Sequence, residues 1–143
     1  MRRSRSCAQN FAAVCEGLEA ESNTAVSERR LSDAASLSTM LGSFRSMTGD
    51  EEAALKAFRQ AEQLEPGDAH RRLSTARHLF VRMKRDEEAA RKIDEVLGDP
   101  QLDDAARHEA LALLGRLALH DSRLMDAAET IRRRSREGRP RMT

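Results

Sequence analysis

Four histidines, two cysteines and two runs of carboxylates are the residues of this sequence whose types could do chemistry. The histidines could hold a metal or move a proton. His70 and His78 stand two helical turns apart, too far to share a metal unaided, and none of His70, His78, His108 and His120 completes an H-E-x-x-H pair or a triad-like motif. Glu51-Glu52 and Asp86-Glu87-Glu88 could serve as acid–base pairs by type. Both runs fall at predicted helix starts, where the macrodipole favours solvent-exposed negative charge, and they are read that way. Cys7 and Cys15 lie on one short segment, too far apart for a bridge along one helix, with no further Cys or His at metal-like spacing. They read as free thiols, which fits a reducing, cytoplasmic setting. There is no Gly-rich phosphate loop. The expectation is a protein that is not an enzyme, with no catalytic residues, no metal and no cofactor.

A chain of 143 residues predicts one domain with room for a real core. Alanine numbers 22, and Leu, Ile, Val and Phe together 26, with no Trp or Tyr. Strands want β-branched and aromatic residues, which are scarce; good helix formers dominate. Close-packed helices around a thin core follow. Charge is uneven. Ends of +3 (Arg2, Arg3, Arg5) and +5 (residues 132–143) on a chain of net +1 leave a body of −7. A nucleic-acid-binding domain covers a face with basic residues, so nucleic acid could be a partner here only through the Arg-rich ends. No apolar run reaches the length of a membrane span, and no signal-peptide core follows the basic start.

The elements follow from apolar spacing and punctuation. In residues 1–31, Phe11, Val14, Cys15 and Leu18 make one helical stripe, and Gly17 could be a turn. This segment is either a capping helix or a degenerate hairpin. Ser32 or Asp33 can cap the next helix, whose buried stripe runs Leu37, Leu41, Phe44 through Met47. Ser36, Thr39, Ser43 and Ser46 make a polar stripe on another face. Gly49-Asp50 turns the chain into a helix from Asp50 to Leu64, which Pro66 ends. Asp68 caps a helix reaching about Lys84, with Leu73, Ala76, Phe80 and Met83 inward. Phe44-x-x-Met47-x-x-Asp50-Glu-Glu-Ala-Ala returns as Phe80-x-x-Met83-x-x-Asp86-Glu-Glu-Ala-Ala, 36 residues on, while Pro66 and Pro100 are 34 apart. The third helix is therefore expected to be longer than its counterpart, and the fourth (Ile93, Val96, Leu97) shorter. Asp103 or Asp104 caps a fifth, with Leu111, Leu114, Leu117 and Ala118 buried, and His120-Asp121-Ser122 turns it. Leu124, Ala127, Ala128 and Ile131 carry the last helix, expected to fray by Ser135, with a basic flexible tail over 138–143.

Leu41-Gly42, Gly49-Asp50, Ala54, Phe58, Ala61 and Pro66 follow one another in an order and spacing that resemble a tetratricopeptide repeat (TPR), and weaker copies follow up to residue 137. Ser38 and Arg45 stand where the family usually carries aromatics. The resemblance implies an all-α fold, a right-handed stack of antiparallel helical hairpins: about three TPR-like repeats over 32–137 behind the N-terminal cap or degenerate hairpin. It implies a protein–protein interaction module, an adaptor or chaperone, that holds a peptide or helix of a partner in a concave groove lined by the first helix of each hairpin. Transferred to this chain, that lining is Ser36, Thr39, Ser43 and Ser46, then His70, Leu73, Arg77 and Phe80, then Glu109, Ala112, Arg116 and Leu119. The site expected to carry binding is Thr39, Ser43, His70, Leu73, Arg77, Phe80, Arg116 and Leu119. The Lys/Asn/Arg set with which some TPR domains clamp a chaperone's C-terminal carboxylate is absent: Thr39, Ser43, Ser74, Glu109 and Leu113 stand there. The alternative function is a nucleic-acid-associated regulator acting through the Arg-rich ends.

Overall fold

The structure, a computed structural model, describes the backbone of residues 2–120 and 124–137 and the side chains of 9–120 and 129–137. Among these residues the fold is all-α. The helices are α1 Arg2–Ser27, α2 Leu31–Met47, α3 Glu51–Leu64, α4 Ala69–Val81, α5 Asp86–Leu97, α6 Asp104–His120 and α7 Leu124–Glu137. Contacts divide the chain into two compact units, residues 1–75 and 76–143, with the division inside α4.

In the first unit α2 packs on α1 and on α3. The α2–α3 contact is set by a glycine. A Cβ built on Gly42 would lie 2.9 Å from the ring of Phe58, closer than real Cβ atoms come to a neighbour. Glycine is what lets the Phe58 ring lie directly on the α2 backbone. Against α1, α2 offers polar contacts as well as apolar ones. Ser22 and Ser38 are buried with their hydroxyls 3.0 Å apart. Ser22 donates to the Ala34 carbonyl at 3.3 Å, so Ser38 donates to Ser22. Arg45 reaches Glu19 at 2.9 Å, and the Phe11 and Phe44 rings lie 5.9 Å apart. Ser38 and Arg45, the two departures from the TPR pattern, both face α1.

The α1–α2 and α2–α3 turns of this unit are built alike. Arg30 N donates to Ala25 O at 2.8 Å and Asp50 N to Arg45 O at 3.0 Å, each closing a helix end around a left-handed residue, Arg29 (φ 60°) or Gly49 (φ 86°). The next helix then starts from a cap whose carbonyl receives the amide of a fully buried alanine, Ala34 or Ala54. A three-residue reversal leaves room for little else at that position.

Several expectations change here. Gly17 lies inside α1, which is one continuous helix, so the segment is not a hairpin. The cap of α2 is Arg30, not Ser32 or Asp33: the turn after α1 is short, the helix starts at Leu31, and Asp33 instead pairs with Arg30 at 3.1 Å from the first turn. Met47 was expected on the buried stripe but is 66% exposed. The exposed line of α2 is Ser36, Met40, Ser43 and Met47.

In the second unit α6 packs on α5 and α7. The Gly42–Phe58 arrangement has a looser counterpart: a Cβ on Gly115 would meet Ile131 Cδ1 at 3.7 Å. Asp103 caps α6, accepting from Ala106 N at 2.7 Å, and Leu113 is buried where Leu111 was expected to be, Leu111 being half-buried. Helix α4 has 13 residues against 17 in α2, so it is shorter, not longer. The longer spacing of the sequence echo comes from the turn over 82–85. That turn places Arg85, not Asp86, at the cap, and Ala89 rather than Ala90 as the fully buried alanine. The sequence echo and the structural repeat thus differ by one residue. Helix α7 continues through Glu137 rather than fraying at Ser135, held by Arg134 paired with Asp94 and with Glu137. The turn at His120-Asp121-Ser122, the side chains of Leu124, Ala127, Ala128, Cys7 and the N-terminal arginines, and the tail over 138–143 lie outside the described residues.

Two stability outcomes follow. Gly42→Leu destabilises by about 1–3 kcal/mol through overpacking, and Phe58→Ala by about 3–5 kcal/mol through a cavity. The two sites compete for the same space, so a Gly42→Ala, Phe58→Leu double variant costs less than the sum of its singles. Urea denaturation followed by circular dichroism measures all four; additive costs would place the ring elsewhere. Separately, Arg29→Gly stabilises by about 1 kcal/mol. It removes a left-handed penalty of roughly 1–2 kcal/mol, less glycine's greater unfolded entropy. An unchanged or lowered midpoint would remove that account of the turn.

Candidate functional site

The residues expected to line the groove fall into two sets, one in each unit. In the first unit the serine and threonine stripe is held by an arginine that the sequence reading passed over. Arg71, near the start of α4, donates to Thr39 Oγ1 at 3.0 Å, Ser36 Oγ at 3.0 Å and Glu65 Oε1 at 3.2 Å. It also lies 3.7 Å from Asp68 Oδ2, and its side chain is only 17% exposed. Thr39 is fully engaged, since its hydroxyl donates to Ala35 O at 2.9 Å. Ser43 is exposed, with its hydroxyl turned back to Thr39 O at 3.2 Å, and His70 is exposed at the first turn of α4, where Asp68 accepts from its amide at 2.9 Å. Leu73 is fully buried. It belongs to the core line that the sequence also gave it, and supports the face from behind instead of lining it. The signal for Arg71 was faint: one arginine beside another, just after an expected cap, with no apolar neighbour to mark its face.

In the second unit Arg77 is paired with Glu109, so two expected lining residues neutralise each other. Phe80 is 6% exposed and joins Ala76 in the core; its ring meets His120 edge-on, with centroids 5.4 Å apart. Arg116 and Ala112 are exposed, and Leu119 is 77% exposed, the largest exposure among the big apolar side chains described. Phe80, Val81, Lys84, Asp86, Arg116 and His120 surround a hollow of about 120 Å³. Of these only Phe80 and Arg116 were expected at the site. Lys84 was expected at the end of a helix and His120 in a turn, and it takes the fold to bring the turn after α4 beside the end of α6.

Among the described residues no cluster of three His, Cys, Asp or Glu side chains could hold a metal. Glu51 and Glu52 open α3, and Asp86, Glu87 and Glu88 open α5, where backbone dipoles meet them. A depression of about 620 Å³ along α3 is lined by Glu52, Leu55, Lys56, Arg59, Gln60 and Gln63, all from one helix. No helix described is long and apolar enough to cross a membrane. Cys15 is a free, half-buried thiol.

Arg71 makes its own test. Removing a largely buried, multiply bonded guanidinium leaves two hydroxyls and a carboxylate without their donor. Arg71→Ala lowers stability by about 2 kcal/mol, as expected for hydrogen bonds to a charged group. Arg71→Lys recovers little of it, because an ammonium cannot present a planar fork to three acceptors. A lysine variant melting like wild type would show that charge alone, not the fork, matters here.

No family model matches the chain, and neither a curated protein nor a solved structure does.

Proposed function

We propose that the protein is a non-enzymatic protein-binding module, a TPR-like adaptor or chaperone acting in the cytoplasm, whose helical hairpins stack and hold a peptide or helix of a partner protein. The observation that carries this reading is the α6 surface of the second unit. There Arg116, whose side chain makes no ion pair or hydrogen bond among the described residues, stands one turn from a Leu119 that is 77% exposed. A cation beside an exposed apolar side chain, on rigid helices, fits a peptide that carries an acidic and an apolar group. The resemblance of Leu41 to Pro66 to a TPR adds the expected mode of use, and the Gly42–Phe58 and Gly115–Ile131 contacts support hairpins of that kind. Thr39, Ser43 and His70 remain candidates for a binding face of the first unit, and Arg77 for that of the second, where Phe80 is buried.

The rival reading, nucleic-acid regulation through the Arg-rich ends, finds less support. Arg134 is paired with Asp94 and Glu137, and Arg132 and Arg136 with Glu129, so part of the C-terminal basic run is neutralised within the chain.

The test begins with a partner recovered by crosslinking and purified. Arg116→Glu weakens that complex at least tenfold in calorimetry while shifting stability by no more than about 0.5 kcal/mol, as for exposed changes generally. Arg77→Ala weakens it far less, because Arg77 already has Glu109. Equal affinity in the Arg116 variant, or recovery of nucleic acid in place of a protein, would move the function elsewhere.

A further inference from the structure

We propose that the hollow formed by the end of α4, the turn over 82–85 and the last turns of α6 is a carboxylate-binding subsite, with Lys84 and Arg116 as its two cations and the Phe80–His120 ring pair as its wall. The proposal rests on the protein-binding reading above and names the group the partner would offer.

Size and charge select the ligand. A hollow of about 120 Å³ has room for a small group such as a carboxylate with one or two methylenes. Arg45, Arg71, Arg77 and Arg134 each meet a carboxylate of the chain itself. Among the described residues the side chains of Lys84 and Arg116 meet none and make no hydrogen bond. Among the described residues Asp86 is the one carboxylate of the lining, and it is half-buried. Two cations against one anion leave these described groups with a single positive charge, which a monoanion balances. A phosphate dianion would overfill it and face Asp86. The ring pair and the exposed Val81 and Leu119 offer apolar contact beside the charge, as an acidic residue next to a leucine-like one requires.

The backbone supplies a second observation. Lys84 is left-handed, with φ 59°, in a turn whose counterpart after α2 uses Gly49. A lysine is strained there, and strained residues persist where the side chain or its position has a use. Arg29 shares the conformation, so strain alone does not mark a site. What distinguishes Lys84 is that its side chain lines a hollow with another unpaired cation.

The same feature gives a clean experiment. Lys84→Gly relieves the backbone while deleting the cation, so it raises the melting temperature and lowers carboxylate binding together. A variant that merely damages the fold would lower both. Titrate the full chain, observed by amide and side-chain NMR, with four probes. They are a capped Leu-Glu peptide amide, a capped Gln-Leu peptide with a free C-terminus, a capped Leu-Gln peptide amide, and inorganic phosphate. The expected result is shifts at Phe80, Lys84, Arg116 and His120 with one or both carboxylate peptides and none with the neutral peptide. Whichever carboxylate peptide binds tighter identifies a side chain or a chain terminus as the source. Lys84→Gly and Arg116→Met should each weaken this binding at least fivefold. Equal shifts from the neutral peptide, tighter binding of phosphate, or undiminished binding by Lys84→Gly would each overturn the proposal. If the peptides fail while Arg116→Glu still disrupts the partner complex, the subsite falls and the protein-binding reading stands. If the peptides bind but the partner complex ignores Arg116→Glu, the reverse holds.

Discussion

The contact between Gly42 and the ring of Phe58 is the constraint on which the first unit depends. With a Cβ position only 2.9 Å from the ring, α2 and α3 can approach this closely only because one of them has no side chain there. Much else follows from that approach. The turn must be short, so Ala54, at the point where α3 leaves it, must be small, and it is fully buried. Phe58 can then cover the glycine, which makes one of the chain's four phenylalanines serve as core for a whole hairpin. A protein with 22 alanines and few large apolar residues has to gain its stability by proximity rather than by bulk.

Proximity in turn fixes the polar contacts. Where α1 meets α2, two serines are buried against each other instead of an aromatic pair, and Arg45 reaches out to Glu19. A buried hydroxyl is tolerated because each has a partner. The TPR pattern would put large rings at Ser38 and Arg45; here small and polar residues stand there, and a long α1 lies on them. That single helix of 26 residues buries Ser22 and Ala25 of its described side chains and leaves Val14 and Val26 partly in solvent.

Charge divides the arginines into two kinds. Four of those described are fastened to a carboxylate or hydroxyl of another helix and act as cross-links: Arg45 from α2 to α1, Arg71 from α4 to α2, Arg77 from α4 to α6, Arg134 from α7 to α5. These tie together an acidic body. Arg116 is of the other kind, and it stands beside the most exposed leucine. The functional reading depends on this difference, since a cation already neutralised has little left to offer a partner, whereas one left open beside apolar surface does.

The sequence by itself determined the class of the fold and most of its punctuation. Absence of strand-forming residues, helical spacing of the apolar positions, Asp50, Asp68 and Asp103 at helix starts, and Gly49 in a left-handed turn are local preferences, and the structure has them where composition and spacing put them. Gly42 was legible as a position of close approach for the same reason: a glycine within a helix disfavours it unless something needs the space; that the Phe58 ring is what fills that space was not. What only the tertiary structure decided was register and pairing. Asp86-Glu-Glu-Ala-Ala repeats Asp50-Glu-Glu-Ala-Ala letter for letter, yet the cap is Arg85, because a turn one residue longer shifts which alanine faces the neighbouring helix. Leu73 and Phe80 satisfied both a core stripe and a groove pattern, and burial settled it: they are 0% and 6% exposed. Whether an arginine is a cross-link or an open cation is likewise invisible along the chain. The partners of Arg71 and Arg77 lie up to 35 residues away, and only folding brings them within a hydrogen bond.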